Sequence, residues 1–306
     1  MNKVGIIGLG HVGATTALVM AQRGKVGKLV LLDKNADKVK SEQVDLQDQI
    51  TQLDTNTQVE IQDYDAPVYD KLKDLDVLIF SAGNIGVIAE HGGNRDFELN
   101  LTSKIAKELA PKIKASGFNG VLLSITNPCD VIVRILQENT GLPKNQVFGT
   151  GTNLETARMH HAVANATGYD YHDIQGYVFG EHGDTMFPVW SSVRVAGQSI
   201  DSFNLKLDEL TKDTVSGGYI IMNGKHYTSN GIATAANNIT DKILSDSHQS
   251  LPVSAYDKNK KLYIGQLATI GKNGIEKIVP VPLTQKEKAL YDDSAKAIQT
   301  NYDKVN

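Results

Sequence analysis

The chain has one cysteine, Cys129, among its 306 residues. A single thiol excludes an intrachain disulfide framework and fits a reducing compartment, so a cytoplasmic location is expected. A basic run is also missing. With 31 Lys and Arg against 35 Asp and Glu the net charge is −4, and no nucleic-acid footprint is supported. One segment alone has the length of a secretion signal or membrane span, the mostly apolar stretch Val4 to Ala21 after Lys3. Gly5, Gly8, Gly10 and Gly13 break it, so neither targeting nor a membrane partner is expected. Low-complexity tracts and solenoid periods are absent too. What is there is the composition of a soluble globular protein, 41% hydrophobic and 22% charged, long enough for two domains.

Val4 to Ile7 reads as a buried strand, followed by a helix from Val12 to Arg23 that Gly24 stops. Lys28 to Leu32, Asp76 to Phe80 and Val121 to Ile125 are further apolar runs of strand length. Ala36 to Ile50 is helical in period, and so is Leu101 to Lys114, which Pro111 bends or ends. Strands alternating with helices imply a parallel sheet covered on both faces. After about Pro143 the pattern changes. Strand-like runs crowd together at Gly176 to Phe179 and Val189 to Val195, and helices follow at Leu205 to Val215 and Ser229 to Leu244. Leu251 to Ala255, Leu262 to Ala268 and Lys277 to Val281 look like late strands before a last helix from Thr284 to about Tyr302. The fold class is α/β. A parallel-sheet domain over residues 1–143 is followed by an α+β domain over residues 144–306.

Gly8-Leu9-Gly10-His11-Val12-Gly13 joins the first strand to the first helix, and Asp33 ends the second strand. That context makes the glycine pattern a dinucleotide-binding turn of the Rossmann kind. The glycines permit a tight turn, close approach of a diphosphate and helix–strand packing, with the helix N-terminus facing the phosphates. Asp33 is placed to accept hydrogen bonds from ribose hydroxyls and would oppose a 2′-phosphate, so NAD is expected rather than NADP. Ser81-Ala82-Gly83, with Asn84 after it, ends another strand with residues small enough for a nucleotide to approach. Asn127 in Thr126-Asn127-Pro128 is placed to bond substrate or the nicotinamide ribose; turn chemistry alone is the competing reading. Gly180-Glu181-His182-Gly183-Asp184 offers an imidazole between glycines. Leu154-Glu155-Thr156-Ala157-Arg158 offers a carboxylate and a guanidinium three residues apart on one helix face. These are the parts needed to bind a 2-oxo acid and protonate its carbonyl, although a surface ion pair would use the same spacing.

Together with Gly149-Thr150-Gly151-Thr152 and Gly224-Lys225-His226-Tyr227-Thr228, these motifs make the chain resemble the L-lactate/malate dehydrogenase family over nearly its whole length. Within it the chain looks most like the L-2-hydroxyisocaproate dehydrogenases. The resemblance implies an NAD-dependent reduction of a 2-oxo acid to an L-2-hydroxy acid in a homodimer or homotetramer. His182 would be proton donor, Arg158 the grip on the substrate carboxylate, and Arg95 the lid arginine that polarises the carbonyl. Glu155 departs from the pattern, since the family usually has aspartate there to hold the imidazole. The lid carries Val87-Ile88-Ala89 with no arginine before Arg95, which disfavours a second substrate carboxylate and so malate chemistry. Gly217 and Gly218 sit in a helix at a propensity cost of about 1 kcal/mol each relative to alanine. They read as room for a larger substrate side chain, with close helix packing as the alternative, and Thr228 is expected to line the far end of that pocket. The implied substrates are 2-oxo acids with branched aliphatic or aromatic side chains. A plain L-lactate dehydrogenase is the competing enzyme, and a non-catalytic NAD-binding regulator is a reading of a different class.

Overall fold

A computed structural model describes residues 1–84, 86 and 94–306. Strands β1 (Lys3–Ile7), β2 (Lys28–Leu32), β3 (Gln58–Ile61), β4 (Val77–Phe80), β5 (Val121–Ser124) and β6 (Val147–Gly149) run parallel in the order β3-β2-β1-β4-β5-β6. All four residues of β4 and of β5 are buried, because helices cover both faces, and this is why these strands are continuous apolar runs. The helices are α1 (His11–Arg23), α2 (Ala36–Thr51), α3 (Arg95–Ala115) and α4 (Cys129–Thr140). Gly24 caps α1 in the left-handed conformation, donating to the carbonyls of Met20 and Ala21. Pro111 does not end α3, which runs on to Ala115. The strand order reverses direction between β1 and β4, which opens a crevice at the carboxyl edge of the sheet.

The C-terminal half adds α5 (Asn153–Thr167), α6 (Leu207–Lys225), α7 (Asn230–Leu244) and α8 (Gln285–Asp303). Two small sheets belong to it alone. One has the order β11 (Gln198–Ser199), β10 (Arg194–Val195), β7 (Ile174–Gln175), and the other pairs β8 (Val178–Phe179) with β9 (Phe187–Pro188). The late strands β12 (Gln249–Asp257), β13 (Leu262–Gly271) and β14 (Gly274–Ile278) do not build a sheet of their own. They extend the parallel sheet antiparallel from β6, giving nine strands in all. Every residue of β13 is buried, so these strands share the core of the first half.

Other expectations change in detail. Val189 to Val195 is not one strand: a 3-10 turn occupies Trp190–Ser192. The Ser192 hydroxyl bonds the Val189 carbonyl, and Glu287 takes both the N–H and the hydroxyl of Ser191, so side chains outcompete the ladder there. Helix α6 continues past Val215, through Gly217 and Gly218, to Lys225. Among the described residues no helix is long and apolar enough to cross a membrane.

Candidate active site

The glycine turn after β1 has the geometry a dinucleotide requires. Gly8 has φ +88°, and a Cβ there would lie 2.6 Å from the Ala82 Cα. A Cβ on Gly13 would lie 1.9 Å from the Gly8 carbonyl oxygen, so α1 can approach β1 only without a side chain. Gly10, by contrast, faces open space, with nothing within 4 Å of a Cβ. It is the N-cap of α1 and provides no side-chain cap, so the helix N-terminus keeps its backbone donors for a diphosphate. Val12 is half-buried within that first turn, and His11 is exposed. Asp33 accepts from the Leu9 N–H at 2.7 Å and the Asn35 N–H at 3.0 Å, which fixes its carboxylate at the end of β2. Thr126 donates to the Ala82 carbonyl at 3.0 Å, tying the ends of β4 and β5 together. Asn127 is half-buried beside them, and its peptide bond to Pro128 is cis. Gly83 and Asn84 are exposed, and the Asn84 side chain accepts from the Gly86 N–H. The residues present therefore fit NAD at the carboxyl ends of β1, β2, β4 and β5.

His182, Glu155 and Arg158 come together at the other side of this crevice. The Glu155 carboxylate is buried, at 1% exposure, and its two oxygens are divided. Oε2 lies 3.0 Å from His182 Nδ1, and Oε1 accepts from Arg158 Nη1 at 2.9 Å. The i,i+3 pair of Glu155 and Arg158 thus forms, with the carboxylate buried and the guanidinium half-buried, rather than as a surface pair. Burial alone would lower the His182 pKa. The Glu155 carboxylate, by charge and hydrogen bond, outweighs it with help from Asp130, and the imidazole is held above its ordinary value. Burial works to raise Glu155, but the charge and hydrogen bond of His182, joined by Arg158, keep it below the usual carboxylate range. With Nδ1 turned to Glu155, Nε2 is the ring nitrogen left for a substrate carbonyl oxygen.

Three participants were not foreseen. Asp130, buried in α4, accepts the His182 N–H at 2.9 Å through one oxygen and the Ser254 hydroxyl through the other. Burial pushes its pKa up to about 6 against those hydrogen bonds. The only hint in the sequence is an acid inside the apolar run Cys129 to Val133. Glu98 is buried one turn after Arg95 on α3. Burial raises its pKa, while the charges of Arg95 and His182 act to lower it, so it lies in electrostatic reach of both. Tyr219 donates to Asp184 at 3.1 Å. Arg95 itself is exposed at the first position of α3, behind the N-cap Asn94.

Gly218 does not open onto empty space. A Cβ there would lie 3.3 Å from Arg158 Nη1, and one on Gly217 would lie 3.3 Å from Arg158 Cδ. The two glycines let α6 pack against the Arg158 side chain, the close packing weighed above beside room for substrate. Thr228 is half-buried in the turn between α6 and α7. Val87 and Ile88 lie outside the described residues.

A doubly wound sheet with a glycine cradle at its switch point, facing a histidine–carboxylate pair and a half-buried guanidinium, defines an NAD-dependent oxidoreductase. Residues 2–149 match the lactate/malate dehydrogenase NAD binding domain, and residues 152–306 match the lactate/malate dehydrogenase alpha/beta C-terminal domain. The chain belongs to the lactate/malate dehydrogenase family. It is 32% identical to an L-lactate dehydrogenase of Fusobacterium nucleatum, covering 99% of this chain and 96% of that one. It is 34% identical to an L-lactate dehydrogenase of Lacticaseibacillus casei, over 97% and 92% of the two chains. Among solved structures, a minor L-lactate dehydrogenase of Enterococcus mundtii superposes with a TM-score of 0.92 at 29% identity, covering 100% of this chain and 98% of the other.

Proposed function

We propose that the protein catalyses the reversible reduction of 2-oxo acids with medium or branched side chains to L-2-hydroxy acids. The observation that carries this reading is the single buried carboxylate, Glu155, holding both His182 and Arg158. NADH supplies the hydride when bound. Arg158 gives only Nη1 to Glu155, which leaves further N–H groups for two parallel hydrogen bonds to a substrate carboxylate. His182, kept protonated by Glu155, donates from Nε2 to the carbonyl oxygen, and in the reverse direction accepts the hydroxyl proton. Arg95, on the turn that enters α3, stabilises the negative charge that develops on that oxygen.

The preference for larger side chains rests on the lid sequence Val87-Ile88-Ala89, which offers apolar contact and no cation before Arg95. Thr228 is assigned to the far wall of the side-chain pocket. The second reading, an L-lactate dehydrogenase, is favoured by the names of the relatives above. We infer a cytoplasmic homodimer or homotetramer in either case. The test is NADH oxidation with pyruvate, oxaloacetate, 2-oxoisocaproate and phenylpyruvate, compared by kcat/KM. The larger monocarboxylates are expected to lead and oxaloacetate to trail. A strong pyruvate preference would establish the second reading, and no turnover with intact NADH binding would sink both.

A further inference from the structure

We propose that His11 and Tyr227 form a stacked link through which the cofactor-phosphate turn positions the substrate-pocket wall at Thr228. Their rings lie parallel, 3.6 Å between centroids at an interplanar angle of 4°. His11 is the first residue of α1, next to the N-cap Gly10, where a diphosphate would sit. Tyr227 belongs to the opposite half of the molecule. It follows His226, whose φ of +66° ends α6, and is separated by Thr228 alone from Ser229, the N-cap of α7. The Lys225 ammonium lies 4.6 Å from the centre of the Tyr227 ring and donates to the Ser229 hydroxyl at 2.9 Å. Thr228 is therefore held between a residue stacked on the cofactor turn and a residue tied back to Lys225.

Hydrogen bonds between α1 and the C-terminal half lie deeper along the helix. The Asn237 amide donates to the Thr16 carbonyl, and Arg23 reaches Asn238 and Asp241. The His11–Tyr227 stack, by contrast, joins the phosphate end of α1 to the turn bearing Thr228. A diphosphate fixing the first turn of α1 would fix the imidazole plane. The stack then passes that order to residues 225–229 before a 2-oxo acid arrives. Aromatic pairs of this kind are strong enough to make one ligand tighten the other by about 3- to 10-fold. His11 and Tyr227 are positioning residues in this account. The inference rests on the reading that Thr228 lines the pocket.

The experiment measures NADH affinity by fluorescence with and without oxamate, an isostere of pyruvate that cannot accept hydride, alongside KM and kcat for the best 2-oxo acid. In the parent protein oxamate is expected to tighten NADH binding. His11→Ala and Tyr227→Ala are each expected to remove about 3- to 10-fold of that tightening and to raise KM by more than they lower kcat. The double variant is expected to be no worse than either single one, and Tyr227→Phe, which keeps the ring, to retain most of the coupling. Multiplying effects in the double variant, or full coupling in His11→Ala, would overturn the proposal. Thr228→Ala separates the two readings. If it leaves every KM unchanged the pocket assignment fails, while the oxamate-linked change in NADH affinity still decides whether the stack is a link.

Discussion

Glu155 is one methylene longer than the aspartate usual in the family, and the consequence lies in how its two oxygens are used. One meets His182 and the other meets Arg158, within hydrogen-bond distance of both. A buried carboxylate left with one partner is costly, so His182 and Arg158 each secure the other's anchor. Arg158→Lys would lose both the planar fork and the bond to Glu155. We expect kcat/KM for any 2-oxo acid to fall by about 100-fold or more with NADH affinity little changed, measured by steady-state kinetics and fluorescence titration. The identities of these three residues were legible in the sequence, because an imidazole between glycines and an i,i+3 acid–base pair each carry a local pattern. Asp130 and Glu98 were not. Their roles depend on α4 and α3 delivering acids to a site assembled from distant segments, and the one local mark is that Asp130 interrupts an apolar run.

The elements show the same division. The parallel strands were readable because burial on both faces leaves continuous apolar runs, and the last helix because Thr284 and Glu287 form a capping box. The partner of the late strands was not readable. Whether β12 pairs with a new sheet or with β6 is decided by contact between Ser254 and Gly149, far apart in sequence. The length of α6 was hidden for another reason: its two glycines lower helix propensity, and the close approach of Arg158 to them is visible only in the fold. Gly218→Ala therefore separates two roles. Alanine favours the helix by about 1 kcal/mol, but its Cβ crowds the Arg158 guanidinium. KM is expected to rise by a similar factor for pyruvate and for 2-oxoisocaproate, without loss of thermal stability. A rise confined to the larger acid would instead restore Gly218 to the side-chain pocket.

At the scale of the molecule, one sheet carries both parts of the proposed site. Its carboxyl edge holds the glycine turn, Asp33 and Asn127, while its antiparallel extension brings Ser254 to Asp130 and so to the backbone of His182. Cofactor binding is then expected to stabilise the fold as a whole. At about 100 times its dissociation constant NADH adds about 2.7 kcal/mol, readable as a raised melting temperature. NADPH at the same concentration is expected to raise it less, because its 2′-phosphate meets the Asp33 carboxylate. Equal shifts would remove Asp33 from cofactor selection.

By raising the His182 pKa, Glu155 favours the protonated donor, and the pH profile of kcat/KM for 2-oxo acid reduction reads this out. Reduction needs the imidazolium, and the imidazole is held above its ordinary 6.5, so activity should persist above that pH and fall as pH rises through the raised value. In Glu155→Gln the main raising influence is gone, burial and the Arg158 charge still lower the His182 pKa and Asp130 alone opposes them, so the falling limb should move to lower pH along with a loss of rate. Coincident limbs in the two proteins would contradict the account.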